Sequence, residues 1–401
     1  KELTMNRPPR LRPLTEGFVR YDNRASPLLV PVTLAGRLRQ ERAALDEDDD
    51  PFDMPSPAVR EPDREVAPPG SAATTPGRQR GGVRVFDAEA VARALKATSQ
   101  SRREEKERML QVLGEAARDE GYRQVLRPRR AALRKLEAAL LQAFPNFGAV
   151  VTRLIPELAL QGVRTKAAFR MTPMLLYGAP GVGKTTFAST LAQRLGVDWD
   201  VISAGGAQGA FEIVGTSRNW STTSPGRVAQ LLARSRFASA ILVIDEVDKI
   251  SGDQQQPVLP ALLDLLEERS ARRFRDTSLD LTCDASRLII LATANDIERV
   301  PAPLRSRLQE IEVAMPTAAE RRVIAEGMAQ ALLQPVRTAD RPTLDPAVLD
   351  RLAAAPIDLR EVQRRLAQTV GQAVLARRKR LSVADLPRGV EALARPRMGF
   401  V

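Results

Sequence analysis

Residues 178–185 read Gly-Ala-Pro-Gly-Val-Gly-Lys-Thr and fit the pattern G-x-x-x-x-G-K-[ST]. In such a loop, glycines let backbone N–H groups close around phosphate oxygens, while the lysine reaches the terminal phosphates and the hydroxyl reaches a metal ion. We therefore predict a site for ATP in which Lys184 is also catalytic. The residues expected to contact ATP are Gly178, Ala179, Pro180, Gly181, Val182, Gly183, Lys184, Thr185 and Thr186.

A second motif follows about 60 residues later, where the apolar run at 241–244 ends in Asp245-Glu246. The first carboxylate can hold Mg²⁺ with its water shell, and the second can orient and polarise an attacking water. We expect Thr185 and Asp245 to bind Mg²⁺ and Glu246 to be catalytic. A Gly-rich turn and two acids that cap the next turn are the simpler readings, but the two motifs together favour Mg²⁺-dependent hydrolysis of ATP.

Two further polar groups lie downstream of these motifs. The apolar run at 288–294 ends in Asn295, which would stand near the water and the γ-phosphate if this strand lay beside the Asp245 strand. An isolated Asn after a strand is more often a turn residue. After a Pro-rich turn at 301–303 come Arg305 and Arg307.

The elements that would position these groups follow from hydrophobic periodicity. Short apolar runs at 174–177, 198–202, 241–244, 288–292 and 310–313 alternate with helical patterns. This order predicts an α/β fold with a parallel sheet covered on both faces. A helical pattern over 317–395 predicts a small all-α domain, and patterns over 87–142 and 144–160 predict amphipathic helices before the sheet.

Composition excludes several classes of chemistry. The chain has no histidine, so His-ligated metal sites and Ser-His-Asp triads are excluded. Its one cysteine, Cys283, cannot form an intramolecular disulfide, which fits a reducing cytoplasm. No apolar stretch approaches the ~20 residues that span a bilayer, so we expect no membrane partner. The net charge of +12 suggests an acidic partner such as nucleic acid, or an arginine-rich proteome.

With these motifs in this order, residues 171–395 resemble the ATPase module of the AAA+ superfamily, most closely the Lon type. The resemblance implies a ring, with six subunits as the expectation, and assigns catalytic roles to three residues. Asn295 matches the sensor-1 position. Arg307 matches the arginine finger that reaches the neighbouring subunit's nucleotide, with Arg305 as a second candidate. Arg360, in Asp358-Leu359-Arg360-Glu361, matches sensor 2.

The resemblance also predicts how a substrate is held. The segment 212–227 is similar in spacing to the Lon-type loop that places an aromatic residue in the central pore, and Trp220 falls at that position. A large flat side chain can grip any polypeptide through apolar contact. A second pore loop is expected at Gln254-Gln255-Gln256, and an inserted β-hairpin is expected over 274–284.

The predicted organisation has five parts. These are a flexible Pro/Arg-rich tail at 1–82 that includes the acidic run 46–50, a helical region at 83–165, the large α/β ATPase domain at 166–316, the α-helical lid at 317–395 and a terminal tail at 396–401. Only a few residues follow the lid, so we expect this sequence to contain the motor without the Ser-Lys peptidase domain of Lon proteases.

The leading hypothesis is a cytoplasmic homo-oligomeric motor, an unfoldase or chaperone that threads or remodels polypeptides, alone or for a separate peptidase or effector. The alternatives are a nucleic-acid motor or loader, suggested by the charge, and a nucleotide-gated regulator. The arginine beside Trp220 is a single cation, and a loop that tracked DNA would be more basic, so the sequence favours a polypeptide substrate.

Overall fold

The computed structural model of the chain describes residues 18–23, 26–31, 82–99, 106–165, 169–205, 209–216, 223–250, 258–338 and 341–387. The chain divides into two compact units, 1–72 and 73–401. In the first unit, two strands form an antiparallel pair in which Phe18 lies opposite Pro31 and Asn23 lies opposite Ser26. The Pro/Arg-rich composition of the predicted tail did not indicate this pair.

The strands of the described residues are β1 (Phe18–Asn23), β2 (Ser26–Pro31), β3 (Gly82–Arg84), β4 (Tyr122–Gln124), β5 (Met174–Tyr177), β6 (Trp199–Ser203), β7 (Ile241–Asp245), β8 (Phe274–Asp276), β9 (Leu281–Cys283), β10 (Ile289–Ala294), β11 (Gln309–Glu312), β12 (Thr343–Leu344) and β13 (Arg380–Leu381). The helices are α1 (Ala88–Ser99), α2 (Lys106–Ala117), α3 (Arg130–Ala143), α4 (Gly148–Val163), α5 (Lys184–Leu195), α6 (Gly209–Val214), α7 (Arg227–Arg234), α8 (Val258–Leu266), α9 (Glu268–Ala271), α10 (Ala302–Arg305), α11 (Ala318–Leu333), α12 (Pro346–Ala354) and α13 (Leu359–Leu375).

A five-stranded parallel sheet in the order β11-β5-β10-β7-β6 forms the centre of the second unit. All five strands were predicted, within two residues at each end. The three central strands β5, β7 and β10 are continuously apolar because they are buried on both faces, whereas the edge strands β6 and β11 mix polar and apolar residues. β10 lies between β5 and β7, as the placement of Asn295 required. The polar residues that follow these three strands therefore meet at one edge of the sheet.

Helices cover both faces of this sheet, as the α/β prediction required. On one face, α1, α2, α7 and α8 share a core with alternate strand residues such as Leu242, Ile244 and Ile290. On the other face, α3, α4 and α5 pack against the intervening residues, among them Val243 and Leu291. Because successive side chains of a strand point to opposite faces of the sheet, the strands contribute residues to two separate cores.

Arg123 connects the N-terminal helices to the sheet layer. Its guanidinium is 4% exposed and donates to five carbonyl oxygens, including those of Glu115 in α2 and of Leu232 and Ala233 in α7. Carbonyls near a helix C-terminus lack intrahelical donors, so one buried cation satisfies the ends of two helices.

The lid packs around a small core of its own, formed by α11, α12 and α13. Thr317 and Glu320 form a capping box at the start of α11, and Asp345 and Asp358 cap the next two helices. The prediction of a wholly helical region was wrong in one detail, because β12 and β13 pair in parallel beside the helices. Two-residue strands leave too short a pattern to read from periodicity.

The inserted hairpin predicted over 274–284 is confirmed, since β8 and β9 pair antiparallel with Phe274 opposite Cys283. Its outer strand also bridges to Phe86, close to β3. No helix within the described ranges is long and apolar enough to cross a bilayer. The second pore loop at 254–256 and the tail at 396–401 lie outside the described residues and remain predictions, as do the boundaries of the five predicted parts.

Candidate functional site

The phosphate-binding loop joins β5 to α5 through glycines that no other residue could replace without strain. Gly178 has a φ of 150°, and a Cβ there would lie 2.3 Å from the carbonyl oxygen of Val313. Gly181 has a φ of 77°, and its Cβ would lie 2.9 Å from the Cβ of Asp358, the residue that caps α13. The loop is therefore packed between the sheet and the lid, with the N-terminus of α5 facing the position of the phosphates.

Lys184 begins α5 and is only 7% exposed. Its ammonium group donates to the carbonyl oxygens of Gly178 at 2.7 Å and Ala179 at 3.1 Å, and to the side-chain oxygen of Asn295 at 3.0 Å. Three acceptors around three N–H groups fix the cation at the mouth of the loop. The structure thus brings together the predicted phosphate-binding lysine and the predicted sensor-1 amide.

The charge on Lys184 is balanced by several neighbours. Burial lowers the pKa of Lys184 from its ordinary value, whereas Asp245 and Asp248 act in the opposite direction and Arg360 lowers it further. A cation that is partly desolvated and fixed in place gains more from a bound phosphate than one in open water.

The predicted metal ligands face each other across the sheet edge. The Thr185 hydroxyl lies 3.4 Å from both carboxylate oxygens of Asp245. Thr293, near the end of β10, donates its hydroxyl to Asp245 and was missed by the sequence analysis. A hydroxyl and a carboxylate are hard oxygen donors of the kind Mg²⁺ takes alongside water and phosphate oxygens, so these residues fit the ion.

Glu246 follows β7 in a left-handed conformation, with φ 60° and ψ 47°. Such a backbone is uncommon for a residue with a side chain. Its N–H donates to the Thr293 hydroxyl at 3.2 Å, and its carboxylate accepts from Lys249 at 2.5 Å. Thr293 is therefore hydrogen-bonded to both Asp245 and Glu246. The only sequence signal for this role is that a polar residue stands within an otherwise apolar strand.

A cavity of about 230 Å³ lies over these groups. Lys184, Thr185, Asp245, Glu246 and Asn295 line its polar side. Its other walls come from the lid and from the helical region before the sheet. Those residues are Phe144, Ile324, Met328, Leu359, Arg360 and Gln363.

The walls of this cavity combine the predicted sensor-2 residue with an apolar pocket. Arg360 belongs to the first turn of α13 and lines the same space as Lys184. Phe144 stacks edge-on against Phe147 and Phe187, so its ring is fixed by the core beneath the loop. The sequence offered no signal for Phe144, because it lies about 40 residues before Lys184.

The two candidates for the arginine finger differ in their surroundings. Arg305 is held by Glu310, with its Nε 2.8 Å from a carboxylate oxygen, and by Glu298 at 3.7 Å. Arg307 is exposed, and its guanidinium donates only to uncharged oxygens, at 3.0 Å to the carbonyl of Pro303 and 3.4 Å to the Ser306 hydroxyl. Neither candidate is among the described residues that line the cavity.

Trp220 lies outside the described residues, but both flanks of its segment are described. Thr216 and Ser224 exchange hydrogen bonds across the gap, with the Thr216 N–H 3.0 Å from the Ser224 carbonyl and the Ser224 N–H 2.6 Å from the Thr216 hydroxyl. Asp276 of the hairpin is fully buried and accepts from the Gly226 N–H at 2.7 Å. The hairpin thus fixes the base of the predicted pore loop.

Comparisons with known proteins agree with this geometry. Residues 174–315 match the family described as "ATPase family associated with various cellular activities (AAA)". The "Lon protease homolog, mitochondrial" of Mus musculus is 33% identical over 194 residues, which are 48% of this chain and 20% of that protein. The "Lon protease" of Mycolicibacterium smegmatis is 30% identical over 267 residues, which are 62% of this chain and 34% of that protein.

The chain therefore spans between a fifth and about a third of the length of these relatives. Among solved structures, "Closed State CryoEM Reconstruction of Hsp104:ATPyS and FITC casein" aligns with a TM-score of 0.49 and 16% identity. That alignment covers 61% of this chain and 48% of the other.

Proposed function

We propose that the chain contains an AAA+ ATPase module of the Lon type, and that it is a ring-forming motor that uses Mg²⁺ and ATP to remodel, unfold or translocate polypeptides through a central pore. The observation that carries the proposal is the cavity itself. It gathers the predicted phosphate, metal, water-activating and sensor groups around one space of about 230 Å³.

Within this cavity, Thr185 and Asp245 would hold Mg²⁺, which when bound neutralises charge on the phosphate oxygens. Lys184 binds the terminal phosphates and is held ready by Asn295 at 3.0 Å. Glu246 accepts a proton from the attacking water, and its left-handed backbone aims the carboxylate into the cavity. Leaving its ion pair with Lys249 would free that carboxylate for the water.

The proposal of a ring is supported by the position of Arg307, which is not among the described residues that line the cavity. A phosphoryl-transfer site gains about 10³–10⁵ in rate from an arginine supplied by a neighbour. Arg307 is exposed and lies outside its own cavity, which suits a residue that completes the site of the next subunit. We propose a hexamer as the assembly and a separate peptidase or effector as an optional partner.

The proposed substrate is an extended polypeptide gripped by Trp220. An ATPase assay of the full chain against unfolded protein and against DNA tests this. We expect unfolded protein to stimulate wild-type hydrolysis and Trp220→Ala to remove the stimulation while basal hydrolysis remains. Trp199→Phe, at the other tryptophan of the chain and in β6, is the matched control and should keep the stimulation. Stimulation that survives Trp220→Ala would reject the gripping role.

A nucleic-acid substrate is the second candidate, and one surface favours it. Arg127, Arg130, Arg134 and Lys135 are exposed at the start of α3, and Arg127 donates to the Arg164 carbonyl at 2.8 Å, so Arg164 lies beside them. Cations at a helix N-terminus oppose the helix dipole, which a bound polyanion would offset. DNA-stimulated hydrolysis that weakens steeply with salt and survives Trp220→Ala would favour this function over polypeptide remodelling.

A further inference from the structure

The turn after β7 carries a second carboxylate besides Glu246 that the catalytic scheme does not use. Asp248 lies in a short 3-10 turn at Val247–Lys249, and Val247 is buried beneath it. The left-handed backbone of Glu246 reverses the chain, so that the Asp248 side chain reaches across to the end of β10.

One oxygen of Asp248 accepts two backbone N–H groups at that place. The distances are 3.0 Å to the nitrogen of Asn295 and 3.2 Å to that of Asp296. Asn295 is also the residue whose side-chain oxygen accepts from Lys184 at 3.0 Å. A chain of hydrogen bonds therefore runs from the Asp248 carboxylate through the Asn295 backbone and side chain to the phosphate-binding lysine.

The second oxygen of Asp248 is buried and has no hydrogen-bond partner within the part of the chain that the structure describes. Burying an unpaired carboxylate oxygen is costly. Capping a turn needs only one neutral acceptor, which an asparagine could supply at lower cost. Asp248 itself does not line the cavity.

We infer that Asp248 is a positioning residue for ATP hydrolysis, which fixes the backbone at Asn295 so that the Asn295 amide holds Lys184 and the γ-phosphate in reacting geometry. The inference rests on the proposed hydrolysis at this site. It predicts that Asp248 acts on the rate of the chemical step through Asn295, because its carboxylate accepts from the Asn295 N–H and does not line the cavity.

The test measures kcat, ATP affinity by titration of a fluorescent ATP analogue, and melting temperature, all on the full chain. We expect Asp248→Ala to lower kcat at least about tenfold, since hydrogen bonds to a charged group are strong. The dissociation constant for the analogue should stay within about threefold of wild type. Asp248→Asn keeps the shape of the side chain, and its kcat should lie between those of wild type and Asp248→Ala. This variant provides the test if the alanine variant does not fold.

A double-mutant cycle separates this role from a merely structural one. If Asp248 acts through Asn295, then adding Asp248→Ala to Asn295→Ala should change kcat by less than about twofold. Asp345→Ala is the matched control, because Asp345 also caps a turn, at the start of α12 in the lid. It should lower the melting temperature and leave kcat within about twofold.

Three results would overturn the inference. The first is a wild-type kcat in both Asp248 variants. The second is a loss of kcat from Asp248→Ala that is the same in the wild-type and the Asn295→Ala background. The third is a loss of kcat in Asp345→Ala as large as that in Asp248→Ala. A wild-type protein that fails to hydrolyse ATP would instead reject the proposed function.

Discussion

Around the predicted nucleotide cavity, side chains at the ends of β7 and β10 lie within hydrogen-bond distance of Lys184 and Thr185 at the start of α5. Residues of the lid, among them Arg360, line the same space. The segment that carries Arg307 is built differently. It begins at a short turn after β10, its arginine is exposed, and that arginine meets only neutral oxygens of its own turn. Arg307 does not line the cavity, so under the proposed function it would act only on the site of a second copy of the chain.

This difference teaches which parts of the site one chain can position. The cavity groups lie on elements whose packing already fixes them, so we expect a single subunit to bind nucleotide. An exposed arginine gains its function only when an assembly places it. Substitutions on the two sides should therefore fail in different ways, and the following predictions run from the largest expected effect to the smallest.

Arg307→Ala should lower kcat by about 10³-fold or more while ATP affinity stays close to wild type, because the guanidinium acts on the neighbour's transition state. Steady-state ATPase kinetics with a separate nucleotide titration measure both. Arg305→Ala is the matched control, since Arg305 is already paired with Glu310, and it should leave kcat within about threefold. Undiminished turnover in Arg307→Ala, or a loss as large in Arg305→Ala, would contradict the comparison.

Glu246→Gln should lower kcat by about 10²–10³-fold and retain nucleotide binding, because the amide keeps the shape but cannot accept the proton of the water. The same kinetics and titration apply. Glu298→Gln, an exposed carboxylate beside Arg305, is a control that should behave like wild type. Wild-type turnover in Glu246→Gln would show that the water is activated by another group.

Asp276 is a buried carboxyl group that belongs neither to the cavity nor to the Arg307 segment. Burial raises its pKa to about 6 from an ordinary 3.8, against hydrogen bonds from Leu279, Gly226 and Ser278 that act in the opposite direction. Since the folded state favours the protonated acid, its contribution to stability is full below pH 3.8 and is lost as the pH rises through about 6.

The test is chemical denaturation of wild type and Asp276→Asn between pH 4.5 and 8. The free energy of unfolding of wild type should fall relative to the variant by about 2 kcal/mol as the pH rises across this range. Asp280→Asn, an exposed acid in the same hairpin, should show no such trend. A difference between wild type and Asp276→Asn that does not change with pH would contradict the buried-acid interpretation.

Arg360→Ala should lower kcat/KM for ATP by about tenfold, since Arg360 lines the cavity from the lid. Arg364→Ala is a control on the same helix, because Arg364 is 77% exposed and pairs with Glu361. Equal effects of the two substitutions on kcat/KM would contradict a role of Arg360 at the nucleotide site.

The sequence predicted the groups whose motif fixes both residue type and backbone. The phosphate loop, Asp245-Glu246 and Asn295 each follow a continuous apolar strand, and parallel strands must place such residues at one edge. The inserted hairpin followed from the family resemblance and is confirmed.

Residues whose roles depend on long-range contacts could not be predicted in this way. Thr293 looks like one more residue of an apolar strand, and Phe144 looks like one more residue at a helix end. Asp248 is close to Glu246 in sequence, yet its acceptor role appears only when β10 is laid beside β7. The strand pair β12-β13 was too short for any periodic signal.

The central claim is that a working site takes its carboxylate from one subunit and its arginine from the next, and mixing two inactive variants tests it directly. In rings assembled from Glu246→Gln and Arg307→Ala subunits, some seams pair an intact Glu246 with an intact Arg307. With equal amounts and random mixing, we predict that hydrolysis returns to about a quarter of the wild-type rate. Activity that stays at the sum of the two separate variants would contradict the claim.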